Sequence, residues 1–230
     1  MKLWQVGDVM TADVVSVAEK TPYRGIVDLM MQRRVSAVPV VDDFRRVVGV
    51  VSEADLLHKV ELASESLEPR VFESRRHRSA RTKARGAVAA DLMSAPAVTV
   101  LPTTPVAAAA RLMDGEQVKR LPVTDDLGRL VGIVSRGDLL KIYLRPDADI
   151  RGDVVDEVLR RVLAVEDGMV VVQVLDGVVT LTGRLDRWSA TDIAVRLSRQ
   201  VAGVVQVVDR LDFDFDDSNL AAMGAPFGVA

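Results

Sequence analysis

The apolar positions of this chain fall into short β-rich runs separated by helical stripes. Val14 to Val17 is a short run with strand character. Thr21-Pro22 then reads as a helix start, with a hydroxyl cap followed by proline at the first helical position. The stripe Ile26, Val27, Leu29 and Met30 predicts a helix to about Gln32. Ala37 to Val41 predicts a strand, Asp42 to Arg46 a polar turn, and Val47 to Val51 a second strand. That last run is continuously apolar, as in strands covered on both faces. Ser52 is placed to cap a following helix, with Glu53 and Asp55 in its first turn, where the helix dipole favours negative charge.

The same plan then returns at a constant offset. Asp8-Val9-Met10 recurs as Asp91-Leu92-Met93, and Thr21-Pro22 as Thr104-Pro105. Val38-Pro39-Val40 recurs as Leu121-Pro122-Val123. Gly49-Val50-Val51-Ser52-Glu53-Ala54-Asp55 recurs as Gly132-Ile133-Val134-Ser135-Arg136-Gly137-Asp138. About 22 of roughly 50 aligned positions are identical, which chance does not give. The second copy predicts a helix from Thr104-Pro105 through Met113, strands over Leu121 to Val123 and Leu130 to Val134, and a helix from Ser135 to about Tyr143. The expected divisions are a first repeat over residues 6–59, a connector over 60–87 and a second repeat over 88–145.

From about Arg151 the pattern changes. Asp153 to Leu163 predicts an amphipathic helix. Met169 to Leu175 and Val178 to Thr182 predict two strands joined at Asp176-Gly177, a strong hairpin signal. Asp186 to Val201 predicts a helix that Gly203 ends, and Val204 to Leu211 a third strand. This gives a further domain over 150–215 and a frayed tail over 216–230.

Composition narrows the function classes. Of the 230 residues, 49% are apolar, so a sizeable core can form, while aromatics are only 4%, too few for a base-stacking platform. The net charge of −3 argues against a whole-chain electrostatic nucleic-acid binder. There is no cysteine, which excludes disulfides, cysteine nucleophiles and zinc–thiolate sites. Behind Lys2 no long apolar run suggests a signal peptide, and no stretch reaches the roughly 18 apolar residues of a membrane span. A cytoplasmic location is expected.

The duplicated pattern resembles a pair of cystathionine-β-synthase (CBS) domains, a Bateman module, on Asp8-Val9-Met10, Val38-Pro39-Val40-Val41-Asp42, the Gly49 to Asp55 run and their partners in the second copy. The C-terminal part resembles a BON domain, on Val170 to Val174, Asp176-Gly177-Val178-Val179-Thr180-Leu181-Thr182-Gly183 and Val201 to Val208. The resemblance implies an α/β (α+β) fold: two β-α-β-β-α repeats packed as a pseudo-two-fold pair, with a small α-β-β-α-β domain after them. It also implies a homodimer formed through the CBS pairs.

In Gly-x-x-Ser-x-x-Asp the serine sits where a strand becomes a helix, so an anion is favoured beside the open N–H groups. The aspartate lies one helical turn on, on the same side. A carboxylate there can accept both hydroxyl hydrogens of a ribose. The plainer alternative is that serine and aspartate merely cap the helix. Resemblance to CBS domains implies ribose binding for Asp55 and Asp138, with Ser52 and Ser135 beside them. It also implies that the small Ser36-Ala37-Val38 run admits adenine and that the basic Lys119-Arg120-Leu121 run reaches phosphates. On that reading one site combines Ser36, Ala37, Ser135 and Asp138, the other Lys119, Arg120, Ser52 and Asp55, and Val15 and Val98 line the two clefts. The alternative reading makes Lys119 and Arg120 surface residues at a strand edge.

The connector gathers five arginines and one lysine between Arg75 and Arg85. It reads as a solvated loop or as a contact for polyphosphate, nucleic acid or anionic lipid. His58 and His77 are the only histidines and neither has metal-ligand or triad spacing. Asp214, Asp216 and Asp217 lack the frame of a calcium loop. No catalytic constellation is found, so the expected function is non-enzymatic. The CBS pair would sense AMP, ADP, ATP, S-adenosylmethionine or NAD and signal through the BON-like domain, with nucleic acid not expected as a partner. The alternative is a dimeric scaffold with vestigial sites, whose BON-like domain docks to a membrane surface or a protein.

Overall fold

The computed structural model describes residues 3–63 and 86–218. The basic cluster between Arg75 and Arg85 and the tail beyond Ser218 lie outside the described residues. The chain forms two compact units, one of Gln5–Leu139 and the other beginning at Leu140 and including Trp4 from the chain's start.

In the first unit the order is α1 (Val6–Val9), β1 (Val17–Ala18), α2 (Tyr23–Arg33), β2 (Ala37–Val41), β3 (Val47–Ser52) and α3 (Glu53–Ala63). The second copy follows with α4 (Ala89–Leu92), α5 (Val106–Gly115), β4 (Arg120–Thr124), β5 (Leu130–Ser135) and α6 (Arg136–Leu139). β2 and β3 are antiparallel, with Ala37 opposite Ser52, and β1 joins them in parallel. β4 and β5 pair the same way, with Arg120 opposite Ser135. The expected first strands are short: only Val17 and Ala18 pair in one copy, and a single bridge from Val100 to Val123 answers in the other.

The segments that enter each repeat pack on the other one. Val6 donates its N–H to the Thr104 carbonyl and Gly7 to that of Pro102. Tyr23 donates to Ala87, and Ala89 to Thr21. These bonds explain a departure at the helix starts. Thr21 was expected to cap α2 through its hydroxyl, but Pro22 stands at the cap without a side-chain bond. The incoming segment satisfies the helix's first N–H instead. The core of the first repeat gathers Val17, Ile26, Met30, Val38, Val40, Val51 and Leu56 with Ala89 and Leu92 of the incoming segment.

The second unit holds a 3-10 turn (Leu140–Leu144), α7 (Asp147–Asp153), a wide helical segment (Val154–Val162), β6 (Val170–Leu175), β7 (Val178–Arg187), α8 (Trp188–Ser198) and β8 (Gln206–Phe215). The helix predicted from Asp153 thus starts six residues earlier, because Ile150 is buried and extends its apolar side. The sheet order is β6-β7-β8, antiparallel then parallel, around Val172, Val179, Leu181, Ala194 and Val207. Asp176 (φ 50°) and Gly177 (φ 74°) form the hairpin turn. A Cβ on Gly177 would lie 2.8 Å from the Gly203 carbonyl, so the position needs glycine for both space and backbone. β8 runs four residues past its predicted end. Arg184 pairs there with Asp212 and Asp214, which makes the acidic stretch part of a ladder. Among the described residues, no helix is long and apolar enough to cross a membrane.

Candidate functional site

The end of β3 turns into α3 at Ser52, and that corner fixes the chemistry. Asp55 is 8% exposed. Its Oδ2 accepts the Ser52 N–H at 2.8 Å and the Ser52 hydroxyl at 2.6 Å. This is the reciprocal part of a capping box, with aspartate at the third helical position. The helix-cap reading is therefore real. The same bonds lock the carboxylate, so that Oδ1 is presented away from the helix start, where the Ser94 hydroxyl stands 3.5 Å from it.

A cavity of about 350 Å³ opens at this corner. It is lined by Ser36 and Ala37 at the start of β2, by Ser52 to Asp55, by Ser94 and Pro96 to Val98, and by Gln117 to Arg120 leading into β4. Its walls thus come from both repeats. They bring together two acids, Glu53 and Asp55, two bases, Lys119 and Arg120, several hydroxyls and an apolar floor. A few convergent polar groups on an apolar lining are the usual make-up of a small-molecule site. The carboxylate can accept hydroxyl donors, and the two bases can hold an anion.

Of the residues singled out from the sequence, Ser36, Ala37, Ser52, Asp55, Val98, Lys119 and Arg120 line this one cavity. Ser36 and Ala37 were grouped with Ser135 and Asp138, yet here they stand beside Ser52 and Asp55. The reason is the β2–β3 pairing, which sets Ala37 opposite Ser52 and joins the Glu53 N–H to the Ser36 carbonyl. Val38 and Leu121 have no exposed surface and belong to the core, since alternate strand residues face opposite ways. Val15 is half-buried on the segment before β1. Ser135 and Asp138 repeat the Ser52–Asp55 geometry, at 2.8 Å for the N–H and 2.6 Å for the hydroxyl.

Glu53, Ser94, Pro96, Ala97, Gln117 and Val118 line the cavity without having been singled out. Ser94 could have been found: it follows Asp-x-Met as Thr11 does, so both copies carry a hydroxyl there. A second, apolar groove of about 690 Å³ lies over α2 and α3, lined by Tyr23, Met30, Met31, Leu56, Leu57 and Val60 among others. Among the described residues, no cluster of three or more potential metal ligands occurs.

The sequence model of the CBS domain matches residues 6–62 and 88–145, and that of the BON domain matches residues 146–214. The CBS domain-containing protein CBSX2, chloroplastic, of Arabidopsis thaliana is 32% identical over 153 residues. That match covers 62% of this chain and 64% of the relative, so the chain spans less than two thirds of its length. The crystal structure of CBSX2 in complex with AMP superposes with a TM-score of 0.54 at 32% identity, covering 61% of this chain and 97% of that one. The CBS domain pair of protein MJ0100, in complex with 5′-methylthioadenosine and S-adenosyl-L-methionine, has a TM-score of 0.50 at 17% identity over 62% of this chain and 97% of that one. It shares the fold alone.

Proposed function

The chain belongs to the CBS-domain family, as a CBS pair followed by a BON domain, and from that premise we propose that it is a non-enzymatic regulatory protein of the cytoplasm. The repeat pair binds an adenosine-type nucleotide or metabolite in the cleft at Ser52 and Asp55, and the BON domain passes the bound state to a partner. The observation that carries this reading is the cavity itself. It sets a fixed carboxylate and two bases around a space in the size range of ligand sites. The Asp55 carboxylate receives the ribose hydroxyls, the small Ser36-Ala37 wall takes the base, and Lys119 and Arg120 take the phosphate. The complex of CBSX2 with AMP supports the ligand class.

A thermal-melt series with AMP, ADP, ATP, S-adenosylmethionine and NAD at millimolar concentration tests it. A ligand at about 100 times its dissociation constant stabilises the folded state by roughly 2.7 kcal/mol. That raises the melting temperature by several degrees. No shift with any of the five overturns the reading.

A second reading is favoured by one observation. Met31, Leu57 and Val60 are well exposed on the groove over α2 and α3. On that reading the pair is a dimerisation scaffold, and the BON domain docks to a membrane surface or a protein. A dimer in sedimentation together with binding to anionic liposomes, and with no ligand shift, supports it.

A further inference from the structure

The polar turns after β2 and β4 meet one another. Arg46 and Arg129 stand opposite each other in an antiparallel bridge. On either side of them the Val47 N–H meets the Gly128 carbonyl and the Leu130 N–H meets the Arg45 carbonyl, each at 3.0 Å. Two cationic residues therefore face each other on a seam where the repeats join. We infer that Asp42 and Asp125 form a charge clasp at this seam: each carboxylate neutralises its own arginine so that the repeats can close, and the closed seam sets the cavity whose walls come from both. The hold on the ligand rests on the nucleotide-binding reading above; the clasp itself does not.

In this bonding pattern Arg46 and Arg129 are a non-hydrogen-bonded pair, the kind whose side chains lie closest, with Cα atoms about 4.5 Å apart. Like charges directly opposite are destabilising. The two carboxylates answer that repulsion in the same way. Asp42 Oδ2 accepts both Nε and Nη2 of Arg46 at 2.8 Å, and Asp125 Oδ2 accepts the same two groups of Arg129 at 2.7 Å. The other oxygen of each holds its own turn. Asp42 Oδ1 takes the N–H groups of Phe44 and Arg46, and Asp125 Oδ1 takes those of Leu127 and Arg129. The Asp42 and Asp125 side chains are only 16% and 27% exposed, which sets these pairs apart from loose surface ion pairs of little effect. Asp43, Arg45 and Asp126 are exposed at the turn tips.

Short strands connect the seam to the cavity. β2 runs from Ala37, in the cavity wall, toward Asp42, and β4 from Arg120, also in the wall, toward Asp125. β3 returns from the seam at Val47 to Ser52. Holding the strands together at one end fixes how the Ser52 wall of one repeat stands to the Lys119 and Arg120 wall of the other.

Amide hydrogen exchange of the full chain, read at Val47 and Leu130, and titration calorimetry with AMP test this together. In D42N/D125N the asparagine oxygens still accept the turn N–H groups, while the arginines lose their counter-charge. Exchange at Val47 and Leu130 is expected to quicken about fivefold, the upper end for a directly opposed like-charge pair. AMP affinity is expected to fall by a similar factor. Adding R46M/R129M to that variant is expected to restore both, because the repulsion leaves with the arginines. D43N/D126N removes the same charge from the turn tips and is expected to change neither. Exchange that stays slow in D42N/D125N, or that R46M/R129M fails to restore, overturns the clasp. Exchange that responds as expected while AMP affinity never moves overturns its hold on the cavity. If AMP does not bind the wild type, the nucleotide-binding reading fails and the exchange rates alone decide the clasp.

Discussion

Asp55 holds a helix start with one oxygen and presents the other toward Ser94. On the proposed reading, helix cap and ligand site are one carboxylate seen from two sides. Replacing it with asparagine keeps an acceptor for the Ser52 N–H and removes the charge. Asp55→Asn is expected to cost about 1 kcal/mol of stability, the usual range of a weakened cap. It is expected to weaken the nucleotide at least tenfold, since bonds to a charged acceptor contribute about 1.5–3 kcal/mol. Calorimetry and a thermal melt on the same sample separate the two effects. A loss of stability with unchanged affinity would leave Asp55 a cap only. The sequence showed this residue plainly, because Ser-x-x-Asp occurs twice at matching positions. It did not show the interlock around it. Repetition says which residues are equivalent, not which repeat packs on which. That Met93 covers Gly49 and Met10 covers Gly132 follows only from the exchanged entry segments.

At the scale of elements, hydrogen bonds between distant residues decide what pattern reading cannot. The hairpin at Asp176-Gly177 was legible because its dipeptide demands a left-handed turn. Its anchor was not. Asp147, at the start of α7, accepts the N–H of Asp176 at 2.8 Å and that of Gly177 at 2.9 Å. No local pattern links residues so far apart, so the helix start was misplaced while the turn was found. Asp147→Ala leaves both donors without this acceptor. It is expected to destabilise the second unit by about 1–2 kcal/mol, read as an earlier transition in a denaturant melt with unchanged slope. The twin turns after β2 and β4 carry a different signature. Asp125 accepts the N–H groups of Arg129 and Leu127 and pairs with the Arg129 guanidinium at 2.7 Å. The main-chain N–H of Arg129 does most to hold its carboxyl below the usual range, and the guanidinium and the Leu127 N–H add to it. A depressed folded pKa stabilises above the unfolded value near 3.9, and the contribution is lost as pH falls through the folded value. Asp125→Asn should therefore flatten the acid limb of the stability–pH curve below about pH 4 and leave its neutral portion parallel to the wild type. An unchanged acid limb would count against this turn as a pH-sensitive contact.

For the molecule as a whole, the repeat made the first unit legible and the hairpin run made the second legible. The grouping of Trp4 with the C-terminal unit was not, because its ring meets a residue far away in the chain: the Arg145 guanidinium lies 5.6 Å from the centre of the Trp4 ring. Regulation asks more of these units than folding does. A ligand held within Gln5–Leu139 can be reported by the C-terminal unit only if binding and the state of that unit share a coupling free energy. Such coupling is reciprocal, and it is measurable without knowing the partner. Hydrogen exchange with and without saturating AMP is expected to slow the amides around Ser52, Ser94 and Lys119, which line the cavity. It is also expected to change the rates along β7 and β8, which belong to the other unit. A coupling of 1–3 kcal/mol, the usual range, alters exchange through cooperative opening by about fivefold or more. Protection confined to the repeats, with β7 and β8 unmoved, would show a nucleotide-binding pair that does not signal through its neighbour. The BON domain's role would then be docking rather than readout.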